Sequence, residues 1–348
     1  MDITILLEYG VTWVEFLQSN FPSMRPFMLL LNVLTEPEAG LVLFLSILWG
    51  IDRQKGGRYL YLLALIVFTF GMLRHVLQIG PPFWNRPELM LAEISGFAAP
   101  NMHAALALAY MLPFKRFIRT DLVIPTFLIV ALMAGLSQIY LGLAGPIDVG
   151  LGLIVGSMII LLWRGWHKRF GKTFSQRILG QRFWMALLVP GLLTGVHLLL
   201  LNFVQQIGYS GFGNIDQELH WRAWQIGYLN LATNVALLAG LGSSLSAESV
   251  RIGFRPTGQW GLAILNWLIG FSLLSGASYV CLVLLPINRL LENNLTLGLL
   301  STSLITYLLS FIAVYLIPLV FTVLGTADSI AEHKPVISLN NFSVEQAN

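Results

Sequence analysis

Five side chains of this chain could do chemistry together: Arg74, Asn101, His103, Gln138 and Asp148. A guanidinium can hold an anion, an imidazole can donate a proton or a hydrogen bond, and a carboxylate can orient a partner. Hydrolysis of a phosphate ester asks for more. The phosphate charge needs several cations, a nucleophile must attack phosphorus, and an acid must protonate the leaving oxygen. Each residue also has a quieter use. Arg74 can snorkel to a membrane interface, His103 can be a satisfied interfacial histidine, and Asp148 can cap a helix.

The elements that must position these groups are membrane helices. Hydrophobic residues make up 56% of the chain, charged residues 11%, and mean hydropathy is +0.74. Such a chain cannot cover itself with polar surface, so its main solvent is lipid. A span needs roughly 20 apolar residues. Apolar stretches near 37–51, 58–79, 99–115, 120–140, 146–163, 183–205, 226–246, 259–285 and 297–325 predict nine spans, the first of them short. Arg74 then falls near the outer end of the second, and His103 at the start of the third. Ser137 and Gln138 end the fourth, and Asp148 starts the fifth. All four helix ends face one side, which is how helix bundles build sites.

The basic residues orient the bundle. With the N-terminus outside, 15 of the 20 Lys and Arg residues fall in cytoplasmic segments, while Arg25, Arg86, Arg222 and Arg289 are exterior. This bias obeys the positive-inside rule and puts the C-terminus in the cytoplasm. The basic run 164–182 therefore reads as a membrane-surface anchor, and no nucleic-acid partner is expected.

No signal peptide is legible at the N-terminus. Residues 3–18 read as an interfacial helix with Leu6, Tyr9, Trp13, Phe16 and Leu17 on one face and Glu8, Thr12 and Glu15 on the other. Gly152 and Gly156 form a G-x-x-x-G on the fifth span that suits close helix packing, and Ser272 with Gly276 invites the same reading on the eighth. The stretch 206–225 reads as an exterior aromatic, Gly-rich loop. His197 lies mid-span, where a neutral histidine bonded to a neighbouring helix is expected. Cys281 is the lone cysteine, so no internal disulfide is available. The six His, at 75, 103, 167, 197, 220 and 333, lack metal-ligand spacing, and no phosphate loop or dinucleotide fingerprint is present. No metal and no cofactor are implied.

The segment Ser137–Asp148, S-Q-I-Y-L-G-L-A-G-P-I-D, resembles the S-R-x5-H-x3-D signature of the type-2 phosphatidic acid phosphatase superfamily. Pro100-Asn101-Met102-His103 resembles its P-S-G-H. Arg74 to Trp84 resembles K-W-x-x-x-G-Q-R-P-Y-W of the glucose-6-phosphatase branch, and Ser137 to Leu141 is close to that branch's S-R-I-Y-L. The resemblance is clearest over residues 1–163 and fainter over spans six to nine. It implies nine spans, an exterior N-terminus and a pocket on the non-cytoplasmic side. It also implies phosphate-holding cations, an acid His, a nucleophilic His and an orienting Asp.

Against that pattern the chemistry is depleted. Arg74 keeps a cation in the first motif, but Pro81 and Gln138 stand where the two arginines would be. Ala144 occupies the nucleophile position and has nothing to donate. Asn101 and Met102 replace the small Ser-Gly turn that admits phosphate. His103 remains as a general acid or hydrogen-bond donor, and Asp148 as a carboxylate with no His to orient; His75 could replace a lost group only in a shifted alignment. Loss of one phosphate-holding cation costs about 2–4 kcal/mol of transition-state stabilisation. Loss of a covalent nucleophile costs on the order of a millionfold in rate.

The sequence therefore predicts an all-α polytopic membrane helix bundle with a phosphatidic acid phosphatase/haloperoxidase-like core. Its parts are an interfacial segment 1–36, a phosphatase-like core 37–205, C-terminal transmembrane helices 206–325 and a polar cytoplasmic tail 326–348. The expected function is non-catalytic: a pseudo-phosphatase in the bilayer whose pocket, with Arg74, Asn101 and Gln138, binds a lipid, a phosphate ester or another small molecule, or which serves as a subunit beside a membrane-protein partner. The alternative is a diverged phosphatase or phosphotransferase on lipid or sugar phosphates. A transporter that reused the bundle is a third reading.

Overall fold

The computed structural model describes residues 3–92, 96–206, 217–284, 291 and 294–329. Its helices are α1 (Ile3–Asn20), α2 (Arg25–Leu34), α3 (Pro37–Gly50), α4 (Arg53–Leu77), α5 (Met102–Tyr110), α6 (Val123–Tyr140), α7 (Pro146–Ser175), α8 (Leu179–Gln206), α9 (Gln217–Arg251), α10 (Trp260–Leu284), α11 (Leu295–Phe311) and α12 (Ile317–Val323). Two three-residue strands, β1 (Phe254–Pro256) and β2 (Ala327–Ser329), pair antiparallel. Local chemistry starts the helices. Pro occupies the first turn of α2, α3 and α7, where its missing N–H is not needed. Asp52, Asn101 and Asn294 cap α4, α5 and α11 with side-chain acceptors.

Among the described residues, seven helical segments are long and apolar enough to cross a bilayer, with α11 and α12 forming one of them. An eighth arises if α2 and α3, bent by 54° at Thr35–Glu36, form one broken span. The stretch 99–115 differs from a continuous span: α5 is 9 residues long and gives way to a 3-10 turn, Leu112–Phe117. Together they rise about 25 Å, close to a bilayer core. Pro113, in the first turn of that 3-10 segment, cannot donate to an α-helical ladder, which accounts for the change. The stretch 206–225 also differs from a loop. Residues 207–216 lie outside the described residues, but Glu218 to Trp224 already belong to α9.

α4 is the central post. Leu60, Leu62, Leu63, Ile66, Phe68 and Phe70 are buried on it, and α9 packs along α4, α8 and α11 while α5 sits between α6 and α7. Trp49 of α3 is fully buried, and its indole N–H donates to the Ala313 carbonyl at 3.0 Å. That carbonyl lies in a π-helical turn, Ile312–Leu316, which joins α11 to α12. A buried indole needs an acceptor, and a π-turn loosens the ladder enough to supply one. α8 and α10 lie at the periphery and turn most of their surface outward.

One end of the bundle is clasped. Arg53 pairs with Glu248 at 3.0 Å. The same carboxylate accepts the Phe254 N–H at 2.8 Å, leading into β1. β2 closes against β1 with Phe254 opposite Ser329, so the polar tail begins as an ordered strand. Lys334 and the rest of that tail, like Arg289, lie outside the described residues.

The opposite end carries the site, and glycine permits its assembly. A Cβ on Gly152 would lie 2.0 Å from the Asn101 carbonyl oxygen, and one on Gly156 would lie 2.4 Å from the Ala105 Cβ. The G-x-x-x-G is thus an internal α7–α5 contact. Gly276 differs: a Cβ there meets nothing within 4 Å, so close packing does not explain it. Gly152→Ala is expected to destabilise the bundle by about 1–3 kcal/mol through overpacking, whereas Gly150→Ala, in open space, should be near neutral. Thermal unfolding in detergent micelles compares the two.

Candidate functional site

The last turn of α4 supplies Arg74. Its Nε donates to the Pro100 carbonyl at 3.0 Å, and Asp148 lies within electrostatic reach of the guanidinium. α4 then stops at Gln78, held at φ 53° in the left-handed region, with its N–H on the Arg74 carbonyl at 2.9 Å. The chain returns to Asn101, whose Oδ1 accepts the Ala104 N–H at 3.1 Å and starts α5. The Asn101 N–H donates to the Asp148 carbonyl at 2.9 Å. One residue thereby links the second and third motifs through backbone alone.

His103, the second residue of α5, is 8% exposed. Its Nδ1 lies 3.2 Å from the Thr35 hydroxyl, which sits 2.8 Å from the Leu31 carbonyl. The hydroxyl has a single proton, and the carbonyl can only accept it. Nδ1–H is then the donor to Thr35, and Nε2 of the neutral ring keeps the lone pair. That tautomer suits a hydrogen-bond acceptor, and an acid role would require a second proton.

Gln138 does the opposite of an arginine. Its Nε2 donates to Asn32 Oδ1 at 2.6 Å, and Asn32 donates onward to Glu36 Oε1 at 3.2 Å. The Gln138 Oε1 is buried without a partner. Ser137 is also buried and returns its hydroxyl to the Ala134 carbonyl at 2.7 Å, a helix back-bond.

Ala144 is 0% exposed. The turn before it is tight, because Gly142 has φ 79° and a Cβ there would lie 2.5 Å from the Leu89 carbonyl. Asp148 accepts the Gly145 N–H on Oδ2 at 2.7 Å, so the orphaned carboxylate caps α7 and faces Arg74. Carboxylates favour this end of a helix.

The predicted residues therefore share one end of the bundle, and Arg74, His103 and Asp148 interact there. Gln138 joins through α2. Asn32, Thr35 and Glu36 were not singled out by motif or spacing; an Asn inside the apolar run Phe27–Leu34 is the one available signal.

α1 lies across the site. Val11 and Val14 are buried, Gly10 backs onto Pro82 and Gly145, and Gln18 Nε2 donates to the carbonyls of Leu89 and Tyr140 at 2.9 and 2.8 Å. Tyr9, Trp13 and Phe16 stay exposed in an edge-to-face ladder, as an interfacial face would be. The side chain of Leu6 lies outside the described residues.

His75 does not stand in for the nucleophile. It turns away to meet His197 of α8, Nδ1 to Nε2 at 3.2 Å, inside a box closed by Trp224 and Tyr228. Two lone histidines in separate spans gave no hint that they face each other. Among the described residues no group of three His, Cys, Asp or Glu is placed to hold a metal.

The fold defines a polytopic helical membrane protein whose sequence-predicted site residues share one end of the bundle. Residues 232–329 match the family model described as PAP2 superfamily phosphatase, transmembrane extension. The match runs from within α9 to β2 and so covers the part where the motif resemblance is faintest. No curated protein and no solved structure gave a significant match.

Because Ala144 sits in a closed turn, Ala144→His should overpack it. The variant is expected to lose about 1–3 kcal/mol of stability. An unchanged melting temperature would reveal room for an imidazole.

Proposed function

We propose that this PAP2-superfamily membrane protein is a pseudo-phosphatase, which binds a lipid or small molecule or serves in a membrane complex without hydrolysing phosphate esters. The observation that carries the reading is the joint state of Ala144 and Gln138. The nucleophile position is a buried methyl, and the cation position is an amide committed to Asn32. Neither can be recovered by rotating a side chain. The motifs resemble those of the glucose-6-phosphatase branch, and on that likeness the site and the N-terminus lie on the non-cytoplasmic side. The basic run 164–182 at the opposite helix ends supports the same orientation.

Arg74, His103 and Asp148 remain grouped, which is the observation favouring residual phosphatase or phosphotransferase activity as the second reading. Phosphate release from the purified protein in lipid nanodiscs decides between them, with phosphatidic acid, a polyprenyl diphosphate and a sugar phosphate as substrates. The expected result is no turnover above that of His103→Ala. Turnover that disappears in His103→Ala would overturn the proposal.

A further inference from the structure

The bend that divides α2 from α3 puts a carboxylate inside the bilayer. The two helices meet at 54° across Thr35 and Glu36, and α3 runs 14 residues from there to Gly50, about 21 Å. Asp52, Arg53 and Lys55 follow just past its far end. Glu36 therefore stands within a hydrocarbon core of about 30 Å. An ionisable side chain is costly at that depth, and beside a broken span it is a candidate for handling protons or ions.

No cation accompanies it. Glu36 joins no ion pair among the described residues. Its side chain accepts from Asn32 Nδ2 at 3.2 Å, and its backbone carbonyl accepts from the Tyr110 hydroxyl at 2.6 Å. The titratable groups facing it are Glu38 of α3 and Tyr110 of α5, while α6 presents the amide of Gln138. Glu38 is exposed and lines a cavity of about 390 Å³ beside Arg74. His103 is one hydroxyl away, through Thr35, and it faces Arg74 of α4.

Three side chains in series transmit the state of this carboxylate. A carboxylate only accepts, so Asn32 must turn Nδ2 toward it. Asn32 Oδ1 then faces Gln138, whose Nε2 donates to it at 2.6 Å. Gln138 Oε1 is what remains, buried and without a partner. Turning Gln138 alone would set two carbonyl oxygens against each other, and turning both amides would set Asn32 Oδ1 against the carboxylate.

A proton taken up from water onto Glu36 Oε1 removes that constraint. The new O–H needs an acceptor, because lipid supplies none, and Asn32 Oδ1 becomes one when its amide turns. Asn32 Nδ2 then donates to Gln138 Oε1, and Gln138 Nε2 becomes the group left over. Two hydrogen bonds stand before the change and two after it. The terminal amide torsions are broad and two-fold, and amide O and N are close in size, so the reversal needs no extra room.

We infer that Glu36 is a proton-binding site within the bilayer, and that its occupancy decides whether position 138 offers a carbonyl oxygen or an amide N–H. The series works whether or not phosphate esters are hydrolysed, so it goes beyond the pseudo-phosphatase reading and does not rest on it.

NMR of the protein in lipid nanodiscs follows both ends of the series as pH falls, with Glu carboxyl carbons and Asn and Gln side-chain amides isotopically labelled. Glu36→Gln and Gln138→Met assign the two signals. The expected result is a common midpoint: as Glu36 takes its proton, the hydrogen-bonded Gln138 amide proton loses its downfield shift. In Glu36→Gln the Gln138 amide should no longer respond to pH. Asn32→Leu should leave Glu36 titrating and the Gln138 amide indifferent to it, whereas Glu38→Gln, at an exposed position, should keep the two ends coupled. A Gln138 amide that stays fixed while Glu36 titrates would overturn the inference. So would an unaltered response in Asn32→Leu, or a Glu36 that does not titrate over the pH range in which the protein stays folded.

Discussion

The contact between α7 and the Asn101 backbone is the constraint on which the site depends. The Asn101 N–H reaches the Asp148 carbonyl, its side chain caps α5, and Gly152 lets α7 come within reach of its carbonyl. With that joint made, Pro100 presents its own carbonyl to Arg74, and the end of α4 is anchored to the start of α5. The partners are backbone groups on nearly every bond. Apolar surroundings make such bonds obligatory, because lipid offers no replacement acceptor. The joint therefore does not depend on which side chains stand at positions 138 and 144, and the proposed pseudo-phosphatase reading needs no change in the fold.

The same economy explains how the surviving polar groups are used. Asp148 caps α7, His103 is held by Thr35, and Gln138 leans on Asn32. Each has found a partner inside the protein where a phosphate-binding side chain would stay open to substrate. Arg74 is the exception, since only its Nε is taken and the rest of the guanidinium faces a cavity. Fold alone does not assign an activity, and here the likeness to a phosphatase family and the residues at the site point in different directions.

Much of this was legible in the sequence because bilayer physics writes itself plainly. Long apolar runs, biased basic loops and the end-on placement of Arg74, His103, Gln138 and Asp148 all follow from hydropathy and charge. The break at Thr35–Glu36 was harder, because Pro37 was compatible with either a span start or a bend. The short α5 was hidden by the continued apolarity of residues 111–114, with Pro113 the only sign of a change. The His75–His197 pair and the cover formed by α1 were not legible at all. They depend on which faces of separate helices meet, and a single sequence carries no record of that.

The central claim is that position 144 is closed while the cavity beside Arg74 is open. Cysteine labelling tests it most directly, using Ala144→Cys and Glu38→Cys in a Cys281→Ser background with a membrane-impermeant maleimide on sealed vesicles of known orientation. The account predicts rapid labelling at position 38 from the non-cytoplasmic side and none at position 144. Labelling at 144 as fast as at 38 would contradict it and show a pocket open where a phosphatase needs one.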